Sequence, residues 1–111
     1  MMTLSGEQAD RPAISLWRHF YDRETTAENL AAAMLEFQKK YDWDFMKINP
    51  RASYHVEIWG NKLDWSQSEF QKHRKEKFAV EKISDWDKIE VLSPTAPILA
   101  EHLEAIRVIK K

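Results

Sequence analysis

The chain reads as an α/β protein that opens on a strand, a helix and a second strand. Three observations carry that reading. Two short apolar runs, Ala13-Ile14-Ser15-Leu16-Trp17 and Phe45-Met46-Lys47-Ile48, each give way to polar residues, Arg18-His19-Phe20-Tyr21 and Asn49-Pro50-Arg51-Ala52-Ser53-Tyr54-His55. A strongly patterned helical stretch lies between them. Strands joined by a helix run parallel, so both polar ends emerge on one face, where α/β enzymes bind their ligands.

The first strand is expected over 13–18 and the second over 44–49, where the Asn49-Pro50 step ends it because the residue before proline is held extended. Thr25-Thr26-Ala27-Glu28 has capping-box spacing, with Thr25 as the cap. Ala27, Leu30, Ala31, Met34, Phe37, Gln38 and Tyr41 then mark one helical face, and Lys39 and Lys40 suit the negative end of the helix dipole. This predicts a helix over 26–41, with Trp43-Asp44 turning into the second strand.

Beyond Gly60, Lys62-Leu63-Asp64-Trp65 and Lys77-Phe78-Ala79-Val80-Glu81-Lys82-Ile83 alternate loosely around the charged run 71–77, which predicts a hairpin with a long solvated connection. Ser84-Asp85-Trp86-Asp87 has capping character and opens a short helix ending near Glu90. After Ser93-Pro94-Thr95-Ala96-Pro97 comes an amphipathic helix over 97–109, with the stripe Ile98, Leu99, His102, Leu103, Ile106 and Ile109. His102 is expected as a satisfied core residue, and His73 as part of the solvated charge run. Residues 1–10 are polar and acidic and read as a disordered tail. Two core strands with this much helix leave the sheet short of neighbours, so the architecture reads as unfinished or self-pairing.

Composition excludes several classes. The formal net charge is −1, which provides no electrostatic footprint for nucleic acid or an anionic membrane. There is no cysteine, hence no disulfide, thiolate metal site or cysteine nucleophile, as in a reducing compartment. No apolar run has membrane-spanning length and the N-terminus lacks a signal-peptide core, so a cytoplasmic protein is expected. With only two glycines, no phosphate-cradling loop is present, and no zinc spacing or internal repeat occurs. His19 and His55 fall on the same expected face, yet without a carboxylate cluster they do not make a metal site. The five tryptophans read as burial.

Three stretches together carry a resemblance: Pro12-Ala13-Ile14-Ser15-Leu16-Trp17-Arg18-His19-Phe20, the helix from Leu30 to Asp44, and Lys47-Ile48-Asn49-Pro50-Arg51-Ala52-Ser53-Tyr54 through Trp59-Gly60. Ile83-Ser84-Asp85-Trp86-Asp87 and Leu92-Ser93-Pro94 add to it. In order and spacing they resemble the N-terminal part of the uroporphyrinogen decarboxylase family. The resemblance runs over 11–111 and covers about the first third of that family's barrel.

It implies an incomplete (β/α)8 TIM barrel, a fold of about 250 residues when whole. It also implies a lyase of porphyrin biosynthesis, or a relative acting on another anionic, tetrapyrrole-like substrate, and inactivity at this length. Such decarboxylases use no metal or organic cofactor. Relatives in the family transfer methyl groups between corrinoid proteins and thiols, with zinc held by the later part of the barrel. The family's W-F-M-R-Q-A-G-R-Y pattern finds its first arginine in Arg18; Arg23 follows by five residues where the family has four. The family's F-S-D is replaced by Asn49-Pro50-Arg51, with Glu57 a distant candidate for the displaced carboxylate, which points to a divergent branch. The expected substrate-binding residues are Arg18, His19, Asn49, Arg51, Tyr54 and His55. A non-catalytic, self-associating module, with a homo-oligomer as its product, is the alternative.

Overall fold

The computed structural model describes residues 2–111. Met1, at the head of the expected tail, lies outside the described residues; residues Met2–Ser5 form a single 3-10 turn, and Leu4 is exposed.

Helix α1 spans Ala27–Tyr41. Its N-cap is Thr26, one residue later than the spacing suggested: the Thr26 hydroxyl accepts the Asn29 N–H at 3.2 Å. Adjacent threonines fit the cap equally in sequence, and the extended backbone of Thr26 (φ −134°) decides between them. The helix ends where Asp42 turns left-handed (φ 51°) and its N–H closes on the Gln38 carbonyl. Ala27, Leu30, Ala31, Ala33 and Met34 form the buried face, while Tyr41 stays half exposed.

The two segments expected as strands flank α1 and lie side by side, but no regular ladder forms between them. The Asp44 N–H donates to the Ile14 carbonyl at 3.0 Å. The Lys47 ammonium sits 3.8 Å from the Trp17 ring centroid, and the Asn49 amide lies 3.3 Å from the His19 ring. Each contact joins residues thirty apart, and a constant offset is the signature of parallel alignment. What fails is the ladder: the Ile14 N–H is taken by the Asp44 carboxylate at 2.8 Å. Arg11 grips the same carboxylate with both guanidinium nitrogens at 2.6 and 2.7 Å. Parallel strands are normally covered on both faces and flanked by further strands. Here Ile14, Leu16, Trp17, Phe45 and Ile48 remain exposed.

Helix α2 is one turn, Tyr54–Glu57, entered through Ser53, whose φ of 65° is left-handed and unusual for a residue with a side chain. The hairpin follows, with β1 at Lys62–Asp64 and β2 at Arg74–Lys77, antiparallel and bulged between Lys62 and Leu63. This corrects the expected second strand over 77–83: β2 occupies the charged run read as connection. Its residues Arg-Lys-Glu-Lys are all exposed, so pairing and not an apolar alternation makes it a strand. Asp64 opposite Arg74 favours that register.

A 3-10 helix at Ile83–Lys88 stands where a short helix was expected. Its cap comes from within, since the Asp85 carboxylate accepts the N–H groups of Glu81 and Lys82 and the Lys88 ammonium. Helix α3 spans Pro97–Ile109, with proline in the first turn where its missing N–H costs nothing. It packs on α1 through Ala105, which joins Phe20, Ala27, Leu30, Ala33 and Met34 in the core, with Phe37, Met46 and Ile109 at its margin.

This core is small for the chain. The radius of gyration is 17.2 Å, against about 13 Å for a compact domain of this length. Accessible surface is 8159 Å², roughly a quarter more than the ~6,400 Å² of a compact monomer of this mass. No helix among the described residues is long and apolar enough to cross a membrane.

Candidate functional site at the end of the extended pair

Where the two extended segments end, a buried carboxylate holds them together. Glu24 is wholly buried. Its Oε2 accepts the Phe20 N–H at 3.2 Å and lies 3.2 Å from His19 Nδ1, while Oε1 accepts the Ala52 N–H at 2.8 Å. The left-handed turn at Ser53 brings the 52–53 backbone to this carboxylate. A buried carboxylate without donors would cost several kcal/mol; here two backbone N–H groups donate to it and the His19 ring lies within hydrogen-bond distance.

His19 is wedged between the Trp17 edge (5.7 Å between centroids) and the stacked Tyr21 ring (5.6 Å). Asn49 is buried on its other side and donates to the Pro50 carbonyl. His19 and Asn49, from different segments, therefore meet as their positions after the apolar runs suggested.

Arg51 is also buried, and it bridges two acids. Nη2 donates to Glu57 Oε1 at 2.8 Å and Nη1 to Glu101 Oε1 at 3.0 Å, while the guanidinium lies 5.2 Å from the Trp65 ring centroid. Arg51 Nε and Glu57 Oε2 are buried without a hydrogen-bond partner. Burial pushes both carboxyls above the usual carboxylate range, outweighing the pull of Arg51; the two acids also repel each other, which raises Glu101 further. Glu57, the distant carboxylate candidate, is thus committed to Arg51.

The remaining expected residues fall elsewhere. Arg18 spends its guanidinium on the neighbouring loop, donating to Glu69 Oε1 at 2.7 Å, to the Glu69 carbonyl at 2.9 Å and to the His19 carbonyl at 3.1 Å. Arg23 forks onto Glu36. Tyr54 lies edge-on to His102 and, with Asn49, lines an apolar cavity of about 410 Å³ completed by Leu30, Leu99, Leu103 and Ile106. His55 is exposed on the wall of a separate apolar cavity of about 430 Å³ with Trp59, Phe78 and Trp86.

Two histidines differ from expectation. His73 is 5% exposed, packed against Tyr21 and Trp65 at the end of a loop whose Glu69 pairs with Arg18. Neither of its nitrogens makes a hydrogen bond of ordinary geometry. Burial lowers its pKa, with Lys72 and His19 adding, while Glu24 and the Ala52 backbone pull the other way. His102 lies on the apolar stripe, but its Nε2 is buried and unpartnered, and burial lowers its pKa too, helped by Arg51.

Glu24 and Glu101 were not singled out in the sequence, and His73 was read as solvated; Glu24 reaches Ala52 and Glu101 reaches Arg51 across distant stretches of chain that no local spacing marks. Among the described residues no three His, Asp or Glu side chains converge to hold a metal. The arrangement can bind or orient polar groups and move protons. Compared with known proteins, the chain matches no family model, no curated protein and no solved structure.

Proposed function

We propose that this chain is the N-terminal part of a uroporphyrinogen decarboxylase-like (β/α)8 barrel, and that the end of the extended pair forms one side of a cleft for an anionic, tetrapyrrole-like substrate. The whole barrel would act as a carboxy-lyase; this stretch supplies binding groups, and no complete catalytic set. The observation that carries the reading is the constant offset of thirty between the segments, from Ile14–Asp44 through Trp17–Lys47 to His19–Asn49. Parallel segments joined by a helix, with their polar ends together, are the repeating unit of such a barrel, whose chemistry gathers at the ends of the strands. The exposed apolar side chains along both segments and the surplus surface agree with a sheet that continues beyond them.

A second reading, a self-associating module without catalysis, rests on the same exposed side chains together with Leu103 on α3. The coding sequence beyond Lys111 separates the two. Further strand–helix units in frame are expected, and a stop codon kept there in related strains would overturn the barrel. In the protein expressed from the full reading frame, uroporphyrin should bind saturably and quench tryptophan emission. In variants shown by circular dichroism to remain folded, Arg18→Ala and Arg51→Ala should each weaken binding about tenfold to a hundredfold, as expected for losing a charge-assisted contact of about 1.5–3 kcal/mol. Undiminished binding in both variants would make these arginines structural.

A further inference from the structure

We infer that His19 and Glu24 form a proton-transfer dyad, in which the buried Glu24 positions the imidazole and His19 Nε2 exchanges a proton with a substrate held at the end of the extended pair. Glu24 already takes two backbone N–H groups, from Phe20 and Ala52, so its contact with His19 Nδ1 at 3.2 Å is one more donation to the carboxylate. Nδ1 therefore carries hydrogen in both the neutral and the charged ring. The Asn49 amide nitrogen lies 3.3 Å from the same Nδ1 and can only donate, so it would favour the opposite tautomer; the charged Glu24 carboxylate at 3.2 Å is the stronger partner and keeps the hydrogen on Nδ1.

This leaves Nε2. It has no partner among the described residues and is not enclosed, and the His19 side chain is 27% exposed. Trp17 and Tyr21 hold the ring plane, so Nε2 points in a fixed direction. The other titratable or charged groups facing the ring are Tyr21, His73 from the loop before β2, and Arg18, which bonds the His19 carbonyl.

No other histidine has this arrangement. His55 is exposed with Tyr54 as its ring neighbour, while His73 and His102 have buried, unpartnered nitrogens. A carboxylate on one imidazole nitrogen with the other nitrogen open is the arrangement by which acid–base histidines are oriented.

The chemistry rests on the anionic-substrate reading, whereas the dyad does not. In a carboxy-lyase step the bond from carbon to carboxylate breaks and CO2 leaves. The electron pair stays on carbon and takes the proton from His19 Nε2, and the ring, still protonated at Nδ1, is recharged by water. Glu24 acts through His19 and is a positioning residue.

Long-range proton–nitrogen correlation spectra of the 15N-labelled 111-residue chain, from about pH 5 to 9, test this directly. The neutral His19 ring should be the Nδ1–H tautomer, opposite to the usual preference of a free imidazole. An Nε2–H tautomer overturns the dyad. With diethyl pyrocarbonate, which acylates open unprotonated imidazole nitrogens, the rate at His19 should fall several-fold in Glu24→Gln while His55 serves as an unchanged internal reference. Equal His19 rates in a folded variant also overturn it, and if that variant does not fold the wild-type tautomer decides. A stop codon after Lys111 would remove the barrel reading and leave the tautomer as found, so the two fail separately.

Discussion

Replacing Arg51 by methionine should destabilise the chain more than any other single arginine substitution, and its cost should depend on pH in a diagnostic direction. Arg51 is 7% exposed and faces Glu57 and Glu101 at 2.8 and 3.0 Å, whose side chains are 19% and 27% exposed. Methionine keeps much of the stem that packs beside Trp65 and removes the cation. Taking one partner from a buried ion pair costs about 3–5 kcal/mol, because a charge is left uncompensated. Partial solvation of both carboxylates reduces this, so we expect about 2–4 kcal/mol at neutral pH.

The pH dependence follows from the carboxyls. Both already lie above their ordinary values because burial outweighs Arg51, and without Arg51 they rise further. A group whose folded pKa exceeds its unfolded value favours the folded state once protonated, so stability is regained as pH falls through the folded value toward about 4.5. The deficit of Arg51→Met should therefore shrink between neutral pH and about pH 5, when urea unfolding is followed by tryptophan emission. Adding Glu57→Gln to Arg51→Met should recover part of the loss at neutral pH. A deficit under about 0.5 kcal/mol, the range of an ordinary surface change, would refute the buried bridge, as would one indifferent to pH.

Two further outcomes follow. His73 is buried and His102 partly so, and burial lowers both pKa values, so the unfolded chain takes up protons first: stability should decline as pH falls from about 6.5, and His73→Gln together with His102→Gln should flatten that slope in urea titrations. The exposed apolar faces should make the 111-residue chain associate with rising concentration in light-scattering chromatography, and Leu103→Glu should weaken association at a stability cost within about 0.5 kcal/mol; a wild-type monomer at high concentration would refute this.

Helices α1 and α3 were legible because their determinants are local, whereas the single turn of α2 was not. Periodicity and a cap placed α1 to within one residue, and Pro97 with its apolar stripe placed α3 at its observed bounds. The hairpin was legible as a hairpin, but β2 was not, since four charged residues become a strand only through their partner. That His19 and Asn49 meet was legible because they follow apolar runs that end together, and Arg51 follows close behind. Their partners were not: Arg51 pairs with Glu101 fifty residues away and Arg18 with Glu69 fifty-one away. Such pairings depend on the tertiary path and leave no periodic trace. His73 illustrates the cost, since a charged neighbourhood argues for solvent while the side chain packs against Tyr21 and Trp65.

The extended pair shows how a site can be ordered without a sheet to support it. Between segments of this length a parallel ladder would supply several backbone bonds, and the Asp44–Ile14 bond is the one such bond described here. Side chains set the alignment instead. Asp44 fixes the near end by holding the Ile14 N–H and Arg11, and its carboxyl lies below the usual carboxylate range because of those two donors. Glu24 fixes the far end by tying His19 and Phe20 to Ala52, with the Lys47 contact to Trp17 between them. The spacing of His19 from Asn49 is then a property of two carboxylates and needs no strand ladder to set it. This is why Glu24, absent from any local motif, governs the site more than the residues whose positions announced it.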